Sequence, residues 1–316
     1  MNQYSAYALL ALAQAAIAVN VVVGKFVIEA QMPIFVFLGV RFLISSVFLS
    51  VLMVLGRISL ISPTHPTRRL EKRDWIFLLG QAMTGGFLFN YLFFWGIEST
   101  TATSAGIISS TLPAFLAIAA FIVLQEKFTR LKVFGIILAI LGIIVINLDN
   151  GTDPDAVTGS FFGDFLVLLA ILPEALYSIF NKCISHRVTP LGSACVVNWM
   201  IFLLILPLCL GSLENVDMSA FPDHYWGLIA IGSLCGAFFY WAWGKGLQII
   251  PASTAAIFGG VLPVVISLLG YFFLNEIFGW YDLCGMLLVF ASIATGVERK
   301  PRKKIAVKNI GHSYEL

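Results

Sequence analysis

Long apolar runs, each closed by a short polar or charged break, follow one another along almost the whole chain. Runs of about 20 residues match the helix length that crosses a hydrocarbon core of about 30 Å. Read this way, the pattern predicts spans near residues 6–28, 33–55, 75–97, 101–124 and 131–148, and five more near 162–184, 191–210, 226–247, 252–274 and 281–297. The expected fold is an all-α membrane protein of ten transmembrane helices. Residues 1–5 carry no basic side chain, so the first run lacks the positive leader of a cleavable signal peptide and is expected to stay as a helix.

Composition removes the soluble alternative. With 59% of residues hydrophobic and 11% charged, a sphere of this size has too little interior to hide its apolar surface, and lipid must be the solvent. The net charge of +2 says less than its placement. Cytoplasmic loops retain lysine and arginine during insertion. Here Arg57, Arg68, Arg69, Lys72 and Arg73 lie between spans two and three, and Lys127, Arg130 and Lys132 between four and five. Lys182 and Arg187 follow between six and seven, Lys245 opens the break after span eight, and the tail adds Arg299, Lys300, Arg302, Lys303, Lys304 and Lys308. One side thus holds 17 of the 19 basic residues, against Lys25 on the other and Arg41 inside a span. The expectation is a multi-pass inner (plasma) membrane protein with both termini cytoplasmic and the acidic stretches 149–155 and 214–223 outside.

The chain also repeats itself. At an offset of 150 positions Gly96 meets Gly246, Ala102 meets Ala252, Leu112-Pro113 meets Leu262-Pro263, Glu126 meets Glu276 and Gly135 meets Gly285. At 157, Lys25 meets Lys182 and Pro33 meets Pro190, the longer second break absorbing the difference. Each unit holds an odd number of spans, so the second enters the membrane from the opposite face, an inverted repeat. The predicted organisation is a five-helix repeat over 1–150, its inverted partner over 158–298, and a basic cytoplasmic tail over 299–316. A site between two such halves can face each side in turn.

Several stretches carry a resemblance. NVVVGK from Asn20 to Lys25 ends the first span, ATSAGIISSTLPAF starts at Ala102, and its counterpart ASTAAIFGGVLPVV starts at Ala252. LQEKF at Leu124 and LNEIF at Leu274 complete the pattern. Together they resemble the drug/metabolite transporter superfamily, and its EamA-type family in particular. The resemblance implies ten helices as two inverted five-helix repeats with cytoplasmic termini, and export or exchange of amino acids, amines, other metabolites or drugs. Such proteins often place an aromatic residue, commonly tryptophan, in the sixth span where this sequence has Glu174.

Glu174 lies 12 residues beyond Phe162, about 18 Å along a helix, and so near the bilayer midplane. A carboxylate there faces a cavity, pairs with a cation or takes up a proton, and is a functional candidate by default. Two readings stand side by side: Glu174 binds an amine-bearing substrate, a proton, or each in turn, or it forms a structural ion pair with Arg41. Gln14, Asn20, Asn90, Tyr91 and Trp95, with Tyr177, Asn198, Trp199, Tyr240 and Trp241, are candidates for the lining of the same cavity. Aromatic faces attract cations by roughly 0.5 to 2 kcal/mol, which suits amines, whereas tyrosine and tryptophan near span ends more often anchor the membrane interface. Pro113 and Pro263, mid-span in matching helices, and Pro173 beside Glu174 are the candidate hinges, with static bends as the alternative. The small residues Ala105, Gly106, Ser109 and Ser110 and their counterparts Ala255, Ala256, Gly259 and Gly260 are expected to let helices approach closely. Glu126 and Glu276, at span ends, are expected to make loop or helix-terminal hydrogen bonds.

Other chemistries lack their residues. There is no phosphate-binding glycine loop for ATP, His65, His186, His224 and His312 fall in breaks or the tail, and the cysteines Cys183, Cys195, Cys209, Cys235 and Cys284 stand singly, so no metal, cofactor or disulfide framework is predicted. The expected function is a secondary transporter of amino acids, amines or polyamines working by alternating access, in the export direction. Its expected partners are an amine-bearing substrate, the lipid bilayer, a coupling proton and a second copy of itself, and not nucleic acid. The competing classes are a membrane-embedded enzyme or scaffold without flux, and a carrier for anionic or phosphorylated metabolites.

Overall fold

The computed structural model describes residues 2–63, 69–97, 99–100, 108–109, 111–148, 161–213, 221–273 and 279–296. The acidic stretches at 149–155 and 214–220, His65, Arg68, Ala102, Ala105, Gly106, Ser110, Glu276 and the tail with His312 lie outside the described residues.

Among the described residues the chain is all helical. The first half forms α1 (Gln3–Glu29), α2 (Ile34–Leu55), α3 (Lys72–Gln81), a π-helical segment (Ala82–Leu88), α4 (Phe89–Ile97), α5 (Leu112–Leu124) and α6 (Arg130–Leu148). The second forms α7 (Phe161–Ile184), α8 (Pro190–Leu213), α9 (His224–Leu247), α10 (Ala252–Phe258), α11 (Val261–Phe273) and α12 (Trp280–Gly296). Seven stretches are long and apolar enough to cross a membrane: α1, α2, α3 through α4, α7, α8, α9, and α10 through α11. The helices α5 and α12 are apolar but shorter.

Packing pairs the halves crosswise. The helix α4 lies along α7 as α1 lies along α9, α5 meets α7 as α11 meets α1, and α2 with α8 and α6 with α12 pair across the centre. Exchanging the halves maps this set of contacts onto itself. The α6 and α12 pair comes close because glycine faces glycine: a Cβ on Gly135 would sit 2.8 Å from the Cα of Gly296.

Two features depart from the sequence pattern. Pro113 and Pro263 do not kink continuous helices. Pro113 occupies the first turn of α5, after helical Ile108 and Ser109, and Pro263 the first turn of α11, after a turn at Gly259–Gly260. A first-turn proline gives up an N–H that has no helical acceptor, so these residues open new helical segments at little cost. Pro173, by contrast, sits inside an unbroken α7. The second departure is the π-helical segment, where Thr84 donates to Gly80 O at 2.6 Å and the run Gly85-Gly86 packs on the second half.

The end of the bundle that carries the basic breaks is tied shut between halves. Ile61 bridges Val188, Ser62 N donates to Arg187 O at 2.9 Å, and Thr189 N donates to Leu60 O at 2.9 Å. Arg187 donates to Asp74 (2.7 Å) and to Glu71 (3.2 Å), and the bond to Asp74 raises the guanidinium pKa above its ordinary value. The Glu126 carboxylate accepts from the N–H groups of Ala252 (2.8 Å) and Ser253 (3.0 Å) and from the Ser253 hydroxyl (2.5 Å), capping α10. This is the helix-terminal bonding expected of it. Lys182 donates to the carbonyls of Leu247 and Ile250, the latter at 2.9 Å, at the negative end of α9.

Candidate functional site

The face that α7 turns inward can be read from its burial. Val167, Ala170, Ile171, Tyr177, Ser178 and Asn181 recur at helical spacing and are all buried, while Leu168, Leu169, Leu172 and Leu176 on the opposite face are exposed, as lipid contact requires. Glu174 lies at the centre of the buried stripe and is nevertheless only half-buried. Part of its surface is therefore left uncovered by protein, unlike its buried neighbours on the same face. Among the described residues it has no ion-pair or hydrogen-bond partner, and in particular it does not pair with Arg41.

One turn further along α7, Tyr177 is 1% exposed, and its hydroxyl meets no partner in hydrogen-bonding geometry. Its ring centroid stands 5.7 Å from that of Tyr240 on α9 in an edge contact, and Tyr240 stands 6.2 Å from Phe42 on α2. Arg41, next to Phe42, is 7% exposed, holds its Cζ 4.6 Å from the Phe42 ring, and leaves Nε without an acceptor. The predicted residues Tyr177 and Tyr240 are thus in contact, Phe42 links Tyr240 to Arg41, and Glu174 lies one turn from Tyr177 on α7.

Toward the basic end this group has a polar floor. Trp243 Nε1 donates to Ser178 Oγ at 3.1 Å, and Asn181 Nδ2 donates to Gln81 Oε1 at 2.9 Å. The π-helical segment seats this wall. A Cβ on Gly85 would lie 2.5 Å from Tyr177 Cγ, so only glycine lets span three lie flat on the tyrosine. Extra π turns recur at functional sites, because they re-aim a helix face locally.

The remaining predicted residues are elsewhere. Asn20 Nδ2 donates to Gly232 O at 2.7 Å and ties α1 to α9, while Gln14 is buried on α1. Asn90 donates back to Gly86 O in its own helix. Tyr91 and Trp95 are 37% and 46% exposed and form a ladder with Phe35, Phe87 and Phe162 at the end opposite the basic breaks, the setting of interface aromatics. Trp241 is half-buried against Phe238. Asn198 donates to Ala194 O at 2.8 Å, and Trp199 Nε1 donates to Ser50 Oγ at 2.9 Å. Sequence reasoning did not single out Phe42, Gln81, Ser178, Asn181 or Trp243. A polar residue at the spacing of Glu174 and Tyr177 on one helix face was the signal available for Ser178 and Asn181.

An all-helical bundle with membrane-length apolar helices and a polar, unsatisfied centre is the build of a multi-pass membrane transporter. The model of the EamA-like transporter family matches residues 4–148 and again 161–295, and the chain belongs to that family. The uncharacterized transporter YetK of Bacillus subtilis (strain 168) is 34% identical over 95% of this chain and 88% of its own length. A probable terminal-alkyne amino-acid exporter of Streptantibioticus cattleyicolor is 26% identical over 66% of this chain and 69% of its own. One crystal structure superposes with a TM-score of 0.72 over 93% of this chain and 96% of its own at 14% identity, a likeness of fold.

Proposed function

We propose that this chain is a secondary transporter that moves amine-bearing small metabolites, namely amino acids, amines or polyamines, out across the bacterial inner membrane by alternating access. The observation that carries this reading is the unpaired, only half-buried Glu174 carboxylate at the centre of the inward stripe of α7. A carboxylate held there is costly unless a cation or a proton visits it. An ammonium group from the substrate, alternating with a proton from outside, meets that need and couples export to the proton gradient.

In this reading ten spans form two inverted five-helix repeats, over 1–150 and 158–298, and the basic end with both termini is cytoplasmic. The double match of the family model and the exchange symmetry of the helix contacts support it. The ties made by Glu126, Lys182 and Arg187 then close the cytoplasmic side, and the site faces outward. The breaks ahead of α5 and α11, at Pro113 and Pro263, together with Pro173, are the hinges about which the halves exchange. The Streptantibioticus relative, a probable amino-acid exporter, supports both the amine-bearing class and the direction.

Proteoliposomes test the proposal. Counterflow of a radiolabelled panel of amino acids, amines and polyamines is expected for the purified protein, faster with an imposed pH gradient. Glu174→Gln is expected to cut flux by about 100-fold, the scale of losing a charge-assisted contact, and to remove the response to the gradient. Absence of flux for every compound would replace transport with a membrane enzyme or scaffold. Wild-type flux and pH response in Glu174→Gln would take Glu174 out of the site.

A further inference from the structure

Arg41 is a buried charge that no protein group answers. It is 7% exposed in α2, makes no ion pair or hydrogen bond among the described residues, and leaves Nε without an acceptor. Arginine in that setting is normally paired, since its lost hydration is expensive and hydrocarbon offers nothing in return. The ring of Phe42, 4.6 Å from Cζ, stabilises the charge but takes none of its N–H donors. The titratable group that acts on its charge is the phenol of Tyr240, not a carboxylate.

What the guanidinium faces is the bare backbone of α9 at Gly236. Leaving α9's own backbone and the adjacent residues aside, the three atoms nearest the place a Cβ would take there are all N–H donors. They are Arg41 Nε at 3.3 Å, Arg41 Nη2 at 3.4 Å and Asn20 Nδ2 at 3.6 Å. Two carbonyls that could compete are already occupied: Gly232 O accepts from Asn20 Nδ2 at 2.7 Å, and Ser233 O from the Ser45 hydroxyl at 2.8 Å. Asn20 keeps its second amide N–H for another acceptor. The repeat marks this gap as particular to one half. At the offsets of 157 and 150, Arg41 meets Asn198 and Gly236 meets Gly86. Over Gly86 the room is filled, for a Cβ there would run into Ile201 Cγ1. Asn198 brings no charge and turns its Nδ2 back to Ala194 O.

We propose that the junction of α1, α2 and α9 is a halide site, where one chloride-sized anion accepts from Arg41 Nε and Nη2 and from the free N–H of Asn20 over Gly236. One guanidinium supplies one positive charge, so a monoanion leaves the junction neutral. Sulfate or a phosphate dianion would bury a net negative charge instead. The Nε–Nη2 edge, which would take both oxygens of a carboxylate, lies close against the α9 backbone, and donors converging on a gap this narrow suit a single spherical ion. The ion is the resident counter-ion of Arg41 and does not depend on which solute is carried.

The test uses the full-length protein in detergent, exchanged into sodium gluconate, with radiolabelled chloride added at constant ionic strength. One chloride per chain is expected to bind, to be displaced by bromide and not by gluconate or sulfate, and to raise the melting temperature by about 3 °C at saturation. Arg41→Gln removes the charge and Gly236→Ala places a methyl group in the gap. Each is expected to weaken chloride binding by about 10-fold or more and to flatten the thermal response. The alanine variant asks only for a slight shift of the arginine, so it decides the matter where Arg41→Gln does not fold. No chloride binding by the wild type, or undiminished binding in both variants, would overturn the proposal. Displacement by acetate at lower concentration than by bromide would overturn it in favour of a carboxylate site. Counterflow of amines by the wild type is measured separately, so either result there leaves the halide site where the chloride measurement puts it.

Discussion

The centre of the bundle and its basic end contain the same kinds of residue, acidic, basic and hydroxyl-bearing, yet treat them in opposite ways. At the basic end the charges are answered. Glu126 has three donors, Lys182 two carbonyls, and Arg187 two carboxylates, one of them on the fully buried Asp74. At the centre Arg41 Nε has no acceptor, the Tyr177 hydroxyl meets none in good hydrogen-bonding geometry, and Glu174 is half-buried without an ion-pair partner among the described residues. Buried polar groups left unmade cost on the order of 1–3 kcal/mol each, so the centre is held in a state that a ligand would improve. The basic end uses its polar groups for contacts between helices, and in the proposed reading the centre keeps its own for a ligand.

That contrast can be broken from either side. The largest effect is expected from filling the centre with protein. Gly85→Leu drives a side chain into the Tyr177 ring, should cost about 3 kcal/mol or more by overpacking, and should appear as a large fall in melting temperature and loss of ligand stabilisation. Gly85→Ala should show a smaller fall of the same sign. Next comes the latch at α10. Glu126→Gln keeps one acceptor oxygen but loses the charge at the helix N-terminus, worth about 1–2 kcal/mol, and should favour opening of the basic end by about 10-fold. Faster modification of a Ser178→Cys thiol by a membrane-impermeant reagent added from that side, in a background without native cysteines, would register it. An unchanged rate would mean that Glu126 does not hold the closure.

Arg187→Ala should act more weakly in the same assay and lower stability by about 1 kcal/mol. Arg187 is partly exposed and screened, although the loss leaves Asp74 with only its capping bond to Glu71 N. The smallest effect is expected at the aromatic ladder. Tyr91→Phe should leave ligand affinity unchanged within about 2-fold, because Tyr91 sits among exposed aromatics away from the two charges. A large loss of affinity would extend the site to that ladder.

Legibility in the sequence followed how local each signal is. Apolar runs repeat over 20-residue lengths, so the membrane-length helices could be read directly. Glu174 announced itself because a carboxylate in the middle of an apolar run has no local explanation. Polar residues that find their partner within a turn, as Asn90 does at Gly86, or on a facing backbone, as Asn20 does at Gly232, look the same in sequence as residues awaiting a ligand. The paired Asn181 and Gln81 are 100 residues apart, and nothing in either neighbourhood names the other. Pro113 and Pro263 were visible as prolines, but whether a proline bends a helix or begins one depends on the turns before it. At Gly259–Gly260 the glycines supplied that information in one half alone.

The π-helical segment carries a consequence for how span three tolerates editing. A wide turn accommodates a surplus residue, so the span from Lys72 to Ile97 is one position out of phase with an ideal α-helix across Ala82–Leu88. Deleting a single residue there would let the helix relax to α geometry with the parts on either side still in phase, whereas the same deletion in the α-helical stretch just beyond Leu88 would swivel everything after it by about 100° about its axis. Gly96 would be carried off Val167, where a Cβ would already stand 2.8 Å from a methyl carbon, and the aromatic ladder would turn with it. Span three therefore accepts a change in the count of letters within Ala82–Leu88 far more readily than on either side of it.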